Sequence, residues 1–241
     1  ICPRRDLPKP TSRRASRELN AEHQPIMNSI NPIRKLSSVD MLGQLVAFPS
    51  VSRDSNLPLI DWVEDYLQPF APRCRRTWNS EGDKANLFAA IGPDAPGGVV
   101  LSGHTDVVPV DGQDWNTDPF QLTERDGLLY GRGTSDMKGF SAVFLSRLAT
   151  LDLAAMQRPL YLALSYDEEV GCIGVDRMVD DAVAHFPKAD FAIIGEPTTM
   201  HVVRAHKSIN CFRTVVRGKA AHSSQPQCGA GAIIAAGRII E

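Results

Sequence analysis

A chain of 241 residues with 43% hydrophobic and 22% charged side chains has an ordinary globular composition, which excludes a disordered polymer, a collagen-like repeat and a coiled coil. Its formal net charge of -2 leaves no global field to gather nucleic acid or acidic lipid, and no apolar run approaches the roughly 20 residues that span a bilayer. Five scattered cysteines (Cys2, Cys74, Cys172, Cys211 and Cys228) without a Cys-x-x-Cys pair argue against a disulfide scaffold and for a reducing compartment.

Residues 1–26 carry three prolines in their first ten positions and no apolar periodicity. Arg4, Arg5, Lys9, Arg13, Arg14 and Arg17 face Asp6, Glu18 and Glu22 there. The stretch lacks the apolar core of a secretory signal, and its acids weigh against a transit peptide. It reads as a disordered or non-native extension. From Ser38 onward, Val39, Leu42, Leu45 and Val46 recur at helical spacing, with Ser38 as N-cap and Pro49 closing the run. Residues 59–70 predict a second helix. Short apolar runs at 86–91, 99–108, 160–166 and 191–195 have the form of strands buried on both faces. Residues 138–151 and 175–186 are helical by periodicity, and a further strand over 208–216 and a helix over 229–240 are expected. Strands alternating with helices predict an α/β sheet with helices on both sides. The chain reaches Glu241 inside an apolar run, so it reads as a piece of a longer protein.

The chemistry-bearing residues fall at the ends of these strands. His104 and Asp106 follow an apolar run in Leu-Ser-Gly-His-Thr-Asp-Val-Val-Pro, and a spacing of two puts both side chains on one face of an extended backbone. Imidazole beside carboxylate is the pairing of a metal-ligand histidine with its orienting acid. Alone, the pair reads more readily as a loop histidine beside a capping acid. Asp136 lies in Tyr-Gly-Arg-Gly-Thr-Ser-Asp-Met-Lys-Gly, just before an apolar helix. Glycine-rich turns before helices often hold phosphate, but this one lacks the P-loop ending and the dinucleotide spacing. Asp167, Glu168 and Glu169 follow the 160–166 strand, either as a solvated acidic loop or around a divalent cation that offsets their repulsion. Glu196, in Ile-Gly-Glu-Pro-Thr, follows the last strand of the set. In an α/β sheet such loops converge on one crevice. One imidazole with several carboxylates and no thiolate suits Zn, Mn or Co.

Together these motifs resemble the two-metal zinc aminoacylase and carboxypeptidase family. The carriers are Ser-Gly-His104-Thr-Asp106-Val-Val-Pro, Gly-Thr-Ser-Asp136-Met-Lys-Gly, Asp-Glu168-Glu169-Val-Gly and Gly-Glu196-Pro-Thr. Trp115-Asn-Thr-Asp-Pro-Phe, Arg158-Pro-Leu-Tyr and Val203-Arg-Ala-His-Lys207 are most similar to its acetylornithine deacetylase branch. The resemblance implies a zinc-exopeptidase-like domain with a mixed, mostly parallel sheet flanked by helices, plus the start of a smaller α/β dimerisation domain. The implied division is an extension over 1–26, a catalytic metal-binding domain over 27–206 and an incomplete dimerisation or lid domain over 207–241. Two divalent ions, Zn or Co, are implied, with Asp136 bridging them and its peptide bond to Met137 cis. His104 and Glu196 would complete one site, and Glu169 the other with a later histidine that this chain does not reach. Glu168 would be the general base, Asp106 would orient His104, and His222 would meet the oxyanion across a dimer interface. The implied substrate is a small N-acyl amino acid, N-acetyl-L-ornithine foremost, in a cytoplasmic homodimer that binds neither nucleic acid nor membrane. A succinyl-diaminopimelate desuccinylase or dipeptidase of the same family is one alternative. A catalytically incomplete fragment that binds metal or dimerises is another.

Overall fold

The computed structural model describes residues 35–205, 207 and 212–240. The expectations placed on residues 1–26, on His206 and on positions 208–211 of the last strand lie outside the described residues. The chain separates into two compact units, divided between Pro197 and Thr198.

In the first unit, α1 (Ser38–Val46) and α2 (Leu57–Leu67) precede the strands β1 (Arg73–Trp78), β2 (Ala85–Ile91) and β3 (Val99–His104). A short hairpin follows, β4 (Thr123–Arg125) and β5 (Leu128–Tyr130). Then come α3 (Lys138–Leu148), β6 (Leu160–Ser165), α4 (Val175–His185) and β7 (Phe191–Ile194). Five strands form one mixed sheet in the order β1-β2-β6-β3-β7. β1 and β6 both run antiparallel to β2, whereas β3 runs parallel to both β6 and β7.

The α/β expectation holds, and strand periodicity explains why. Along β2, Leu87, Ala89 and Ile91 join the core under α1, α2 and α3. Phe88 and Ala90 point to the other face, where they meet Tyr161, Ala163 and Met178 beneath α4. Such a strand is buried on both faces and reads as an unbroken apolar run. β7 departs from that expectation, because all four of its residues are exposed. Among the described residues it is the edge of the sheet, next to an apolar groove of about 630 Å³ lined by Val100, Tyr161, Met178, Val183, Phe186 and Ile194.

Local differences have local causes. The N-cap of α1 is Ser37, not Ser38: its ψ of 162° is extended, and its side chain accepts the Asp40 N–H. Ser38 is already helical and turns its hydroxyl to Ser146 of α3. The second helix begins two residues earlier than expected, with Pro58 in its first turn, and ends in a 3-10 turn over Gln68–Phe70.

Among the described residues, the second unit holds a 3-10 turn over Pro226–Cys228, α5 (Ala232–Ile240) and a single β-bridge between Lys219 and Ala230. The strand expected over 208–216 does not form in its described part, 212–216. Phe212 and Val215 are exposed there, with no neighbouring strand among the described residues. No acidic residue occurs from Thr198 to Ile240, against six Lys and Arg. Among the described residues, no helix is long and apolar enough to cross a membrane.

Candidate metal centre

Register places the site. His104 ends β3 opposite Ser165 of the parallel strand β6, and Ser102 lies opposite Ile194 of β7. Three parallel strands therefore finish together, and the chain leaving each carries acids: Asp106 after β3, Glu168 and Glu169 after β6, Glu196 after β7. This is the crevice at the carboxyl ends of an open sheet where ligands gather. Asp136 arrives from the side, in the turn that opens α3, and its peptide bond to Met137 is cis. Met137 is buried under the site, and its sulfur accepts the His104 N–H at 3.4 Å.

The His104 ring is the hub. Its Nδ1 donates to the Asp106 backbone carbonyl at 2.8 Å, which leaves Nε2 facing the carboxylates. From Nε2, Asp136 Oδ1 lies at 3.0 Å, Glu196 Oε1 at 3.7 Å and Glu168 Oε2 at 3.9 Å. Two groups have ligand atoms within 4.8 Å of one another: His104 with Glu168 and Glu196, and His104 with Asp136 and Glu169. Glu168 thus shares a group with Glu196, and Glu169 with Asp136.

Charge defines what the site lacks. Five carboxylates surround one imidazole. Burial opposes a proton on His104, but the hydrogen bonds and charge of Asp106, helped by Asp136, win and push the ring up to about 9. Burial and then the repulsion of Asp136 hold Glu169 above the usual carboxylate range. Glu196 is raised by burial, and Asp136 and Glu168 repel its charge further. Burial would raise Asp106 too, yet hydrogen bonds from His104, Ser52 and the Glu168 N–H hold it below its ordinary value. Lys84, which reaches this loop, pairs with Asp167 instead of the glutamates. An oxygen-and-imidazole donor set with surplus negative charge fits divalent cations.

Asp106 does more than stand beside a histidine. Its carboxylate is 3.6 Å from His104 Nδ1, and it accepts the Ser52 hydroxyl at 2.8 Å. It also takes the backbone N–H groups of Glu168 at 3.1 Å and Glu169 at 3.2 Å. Orientation of the ring falls mostly to the Asp106 carbonyl, while its carboxylate ties the β6 loop to β3. Ser52, Lys84 and Asn86, with Asn56, whose amide donates to the Thr105 hydroxyl at 2.8 Å, are the supports that sequence reasoning missed. The available signal was polarity out of place, with Lys84 and Asn86 set against the apolar run of β2.

His222 belongs to the second unit and is exposed. Its Nδ1 accepts both the hydroxyl and the backbone N–H of Ser224, at 2.8 Å and 3.2 Å. That fixes the proton on Nε2, so the ring presents an outward donor.

With this geometry in hand, the likenesses are specific. Residues 100–234 match the profile of peptidase family M20/M25/M40. Acetylornithine deacetylase of Shigella sonnei (strain Ss046) is 41% identical over 210 residues, 81% of this chain and 52% of that protein. The acetylornithine deacetylase of Proteus mirabilis (strain HI4320) is 38% identical over 203 residues, 81% of this chain and 51% of its own. Human carnosine dipeptidase 1 superposes with a TM-score of 0.55 and 28% identity, over 65% of this chain and 38% of that one. A tripeptidase of Staphylococcus aureus subsp. aureus Mu50 shares the fold at a TM-score of 0.58 and 18% identity, over 86% and 56% of the two chains. The chain spans about half the length of the curated relatives it matches.

Proposed function

This chain belongs to peptidase family M20/M25/M40, and from that premise we propose that it carries the metal-dependent site of an amide hydrolase that converts N-acetyl-L-ornithine to L-ornithine and acetate in arginine biosynthesis. The observation that carries the reading is the convergence of Asp136, Glu168, Glu169 and Glu196 on the single imidazole of His104. The names of the relatives supply the substrate. A cytoplasmic homodimer and the division into a catalytic domain over 27–206 and a dimerisation domain from 207 belong to the same proposal.

His104, Asp136, Glu169 and Glu196 would hold the ions, Zn or Co. Bound there, a pair of divalent cations supplies Lewis-acid polarisation of the amide carbonyl and lowers the pKa of a water. Glu168 takes the proton of the attacking water and returns it to the leaving amine. Its backbone N–H is held by Asp106, so the carboxylate is aimed from a fixed loop. His222 of a partner copy would meet the oxyanion across the dimer interface.

The test is direct. A protein of the relatives' length that includes this chain, loaded with Co(II) or Zn(II), is expected to release ornithine and acetate in equal amounts from N-acetyl-L-ornithine. Glu168→Gln is expected to lower that rate by about a hundredfold or more while metal content, read by elemental analysis, stays the same. Release from N-succinyl-diaminopimelate or a dipeptide in its place would assign the site to a sibling specificity. In this chain by itself, metal uptake without turnover of any of these amides would favour a second reading, a metal-binding portion that lacks the rest of its catalytic apparatus. The chain's span of only 51–52% of its relatives supports keeping that reading.

A further inference from the structure

We propose that Lys84 is a positioning residue for Glu168 and Glu169, acting through Asp167; this rests on the roles given to those two glutamates above. Lys84 sits one residue before β2 and is remote in sequence from the loop it holds. Its Nζ donates to Asp167 Oδ1 at 2.6 Å and to the backbone carbonyl of Ser52. Both partners of the ion pair are nearly buried, with side chains 12% and 11% exposed.

Asp167 is where the chain turns. Its φ of 58° is left-handed, a conformation uncommon for side-chain-bearing residues but one that aspartate adopts more readily than most. That turn points the next two backbone N–H groups, of Glu168 and Glu169, at the carboxylate of Asp106. Asp106 in turn accepts the hydroxyl of Ser52, whose carbonyl Lys84 already holds. The contacts close into a ring: Lys84, Asp167, the two glutamate amides, Asp106, Ser52 and back to Lys84.

Asn86, two residues further on, braces the same loop. Its side chain accepts the Tyr166 N–H at 3.1 Å and donates to the Gly174 carbonyl at 2.9 Å, at the two ends of the segment that carries the glutamates. Lys84 supplies what this neutral brace cannot, a charge that engages Asp167. The first acid of the triplet is thereby drawn to Lys84, and the other two carry on to the His104 cluster. Residues that orient ligands in this way are worth about 10- to 100-fold in metal affinity or activity.

The experiment titrates Co(II) into the full chain and its variants, read by calorimetry and visible absorption, with thermal unfolding measured alongside. Lys84→Met is expected to weaken Co(II) binding by about tenfold or more and to shift the absorption band. Lys84→Arg, which keeps the charge and the reach, is expected to stay within about threefold of the parent. The double variant Lys84→Met with Asp167→Asn removes the stranded carboxylate, so it folds even where Lys84→Met does not. It still lacks the bridge to Ser52, and weakened binding is expected to persist. On N-acetyl-L-ornithine, Lys84→Met is expected to lower kcat by about tenfold with KM held within about twofold. Parent-like Co(II) affinity in the double variant overturns the proposal, since Lys84 would then only neutralise a buried acid. Equal losses in Lys84→Met and Lys84→Arg overturn it as well. A parent chain that takes up no Co(II) removes the metal-site reading itself, and the proposal falls with it.

Discussion

At His104 two hydrogen bonds set the state of the ring, one to the Asp106 carbonyl and one to Asp136. The proton between Nε2 and the carboxylates occupies the place where a cation would bind, so metal and proton compete. With the ring pushed up to about 9, the folded, metal-free protein holds this proton more tightly than an unfolded chain does. Its contribution to metal-free stability is therefore complete below the ordinary histidine range and is lost as pH rises through about 9. Metal affinity moves the opposite way. From pH 6.5 to 8.5, Co(II) binding is expected to tighten by up to about tenfold per pH unit, with about one proton released per ring. Calorimetry in two buffers of different ionisation enthalpy measures that proton, and a binding heat independent of buffer would contradict the assignment. His104, Asp106, Asp136, Glu168, Glu169 and Glu196 were legible because each stands in a short motif, at a strand end or, for Asp136, in the glycine-rich turn before α3. Ser52, Lys84 and Asn86 were not, since the partners through which they hold the acid loop lie 32 to 88 residues away and only folding brings them together.

Elements were legible wherever burial imposed a period, and hidden where ion pairs took its place. β1 reads Arg-Cys-Arg-Arg-Thr-Trp, with no apolar alternation to announce it. Its successive arginines face opposite sides. Arg75 forms a two-pronged pair with Asp181 of α4, at 2.6 Å and 2.7 Å, and Arg76 reaches Asp61 and Glu64 of α2. The hairpin of β4 and β5 did carry a sequence signal, Asp126-Gly127, with φ of 55° and 74°. Both left-handed values are what a two-residue hairpin turn demands. The same scale governs a test of the acid loop. At the start of α4, Gly174 lies so close to Tyr166 that an added Cβ would sit 2.3 Å from its carbonyl oxygen. Gly174→Ala is expected to destabilise the first unit by about 1–3 kcal/mol, seen as a lowered thermal midpoint. Gly237→Ala in α5 meets nothing within 4 Å, so it serves as the comparison and is expected to gain a few tenths to about 1 kcal/mol of helix stability. Equal midpoints for the two variants would show that the close approach carries no cost.

Across the whole molecule, charge is divided more sharply than the formal -2 suggests. The second unit has no acid from Thr198 to Ile240, so every acid of the chain but Glu241 precedes it. Alternation of strands and helices made the α/β class legible, whereas the sheet order was not. Placing β6 between β2 and β3 depends on pairings far apart in sequence, and no local pattern encodes them. The apolar groove beside α4 contains none of the acids of the candidate metal centre. The edge strand beside that groove has a consequence for kinetics. Phe191, Ile193 and Ile194 stay exposed on β7, leaving open main-chain positions next to greasy side chains, a template on which another chain can pair. Refolding is then a race between a first-order closure and a second-order encounter, and dilution decides the winner. The yield of refolded protein is expected to fall as refolding concentration rises through the order of 1–10 μM, with light scattering as the readout. Ile193→Lys, a charge set on the open edge, is expected to move that threshold upward.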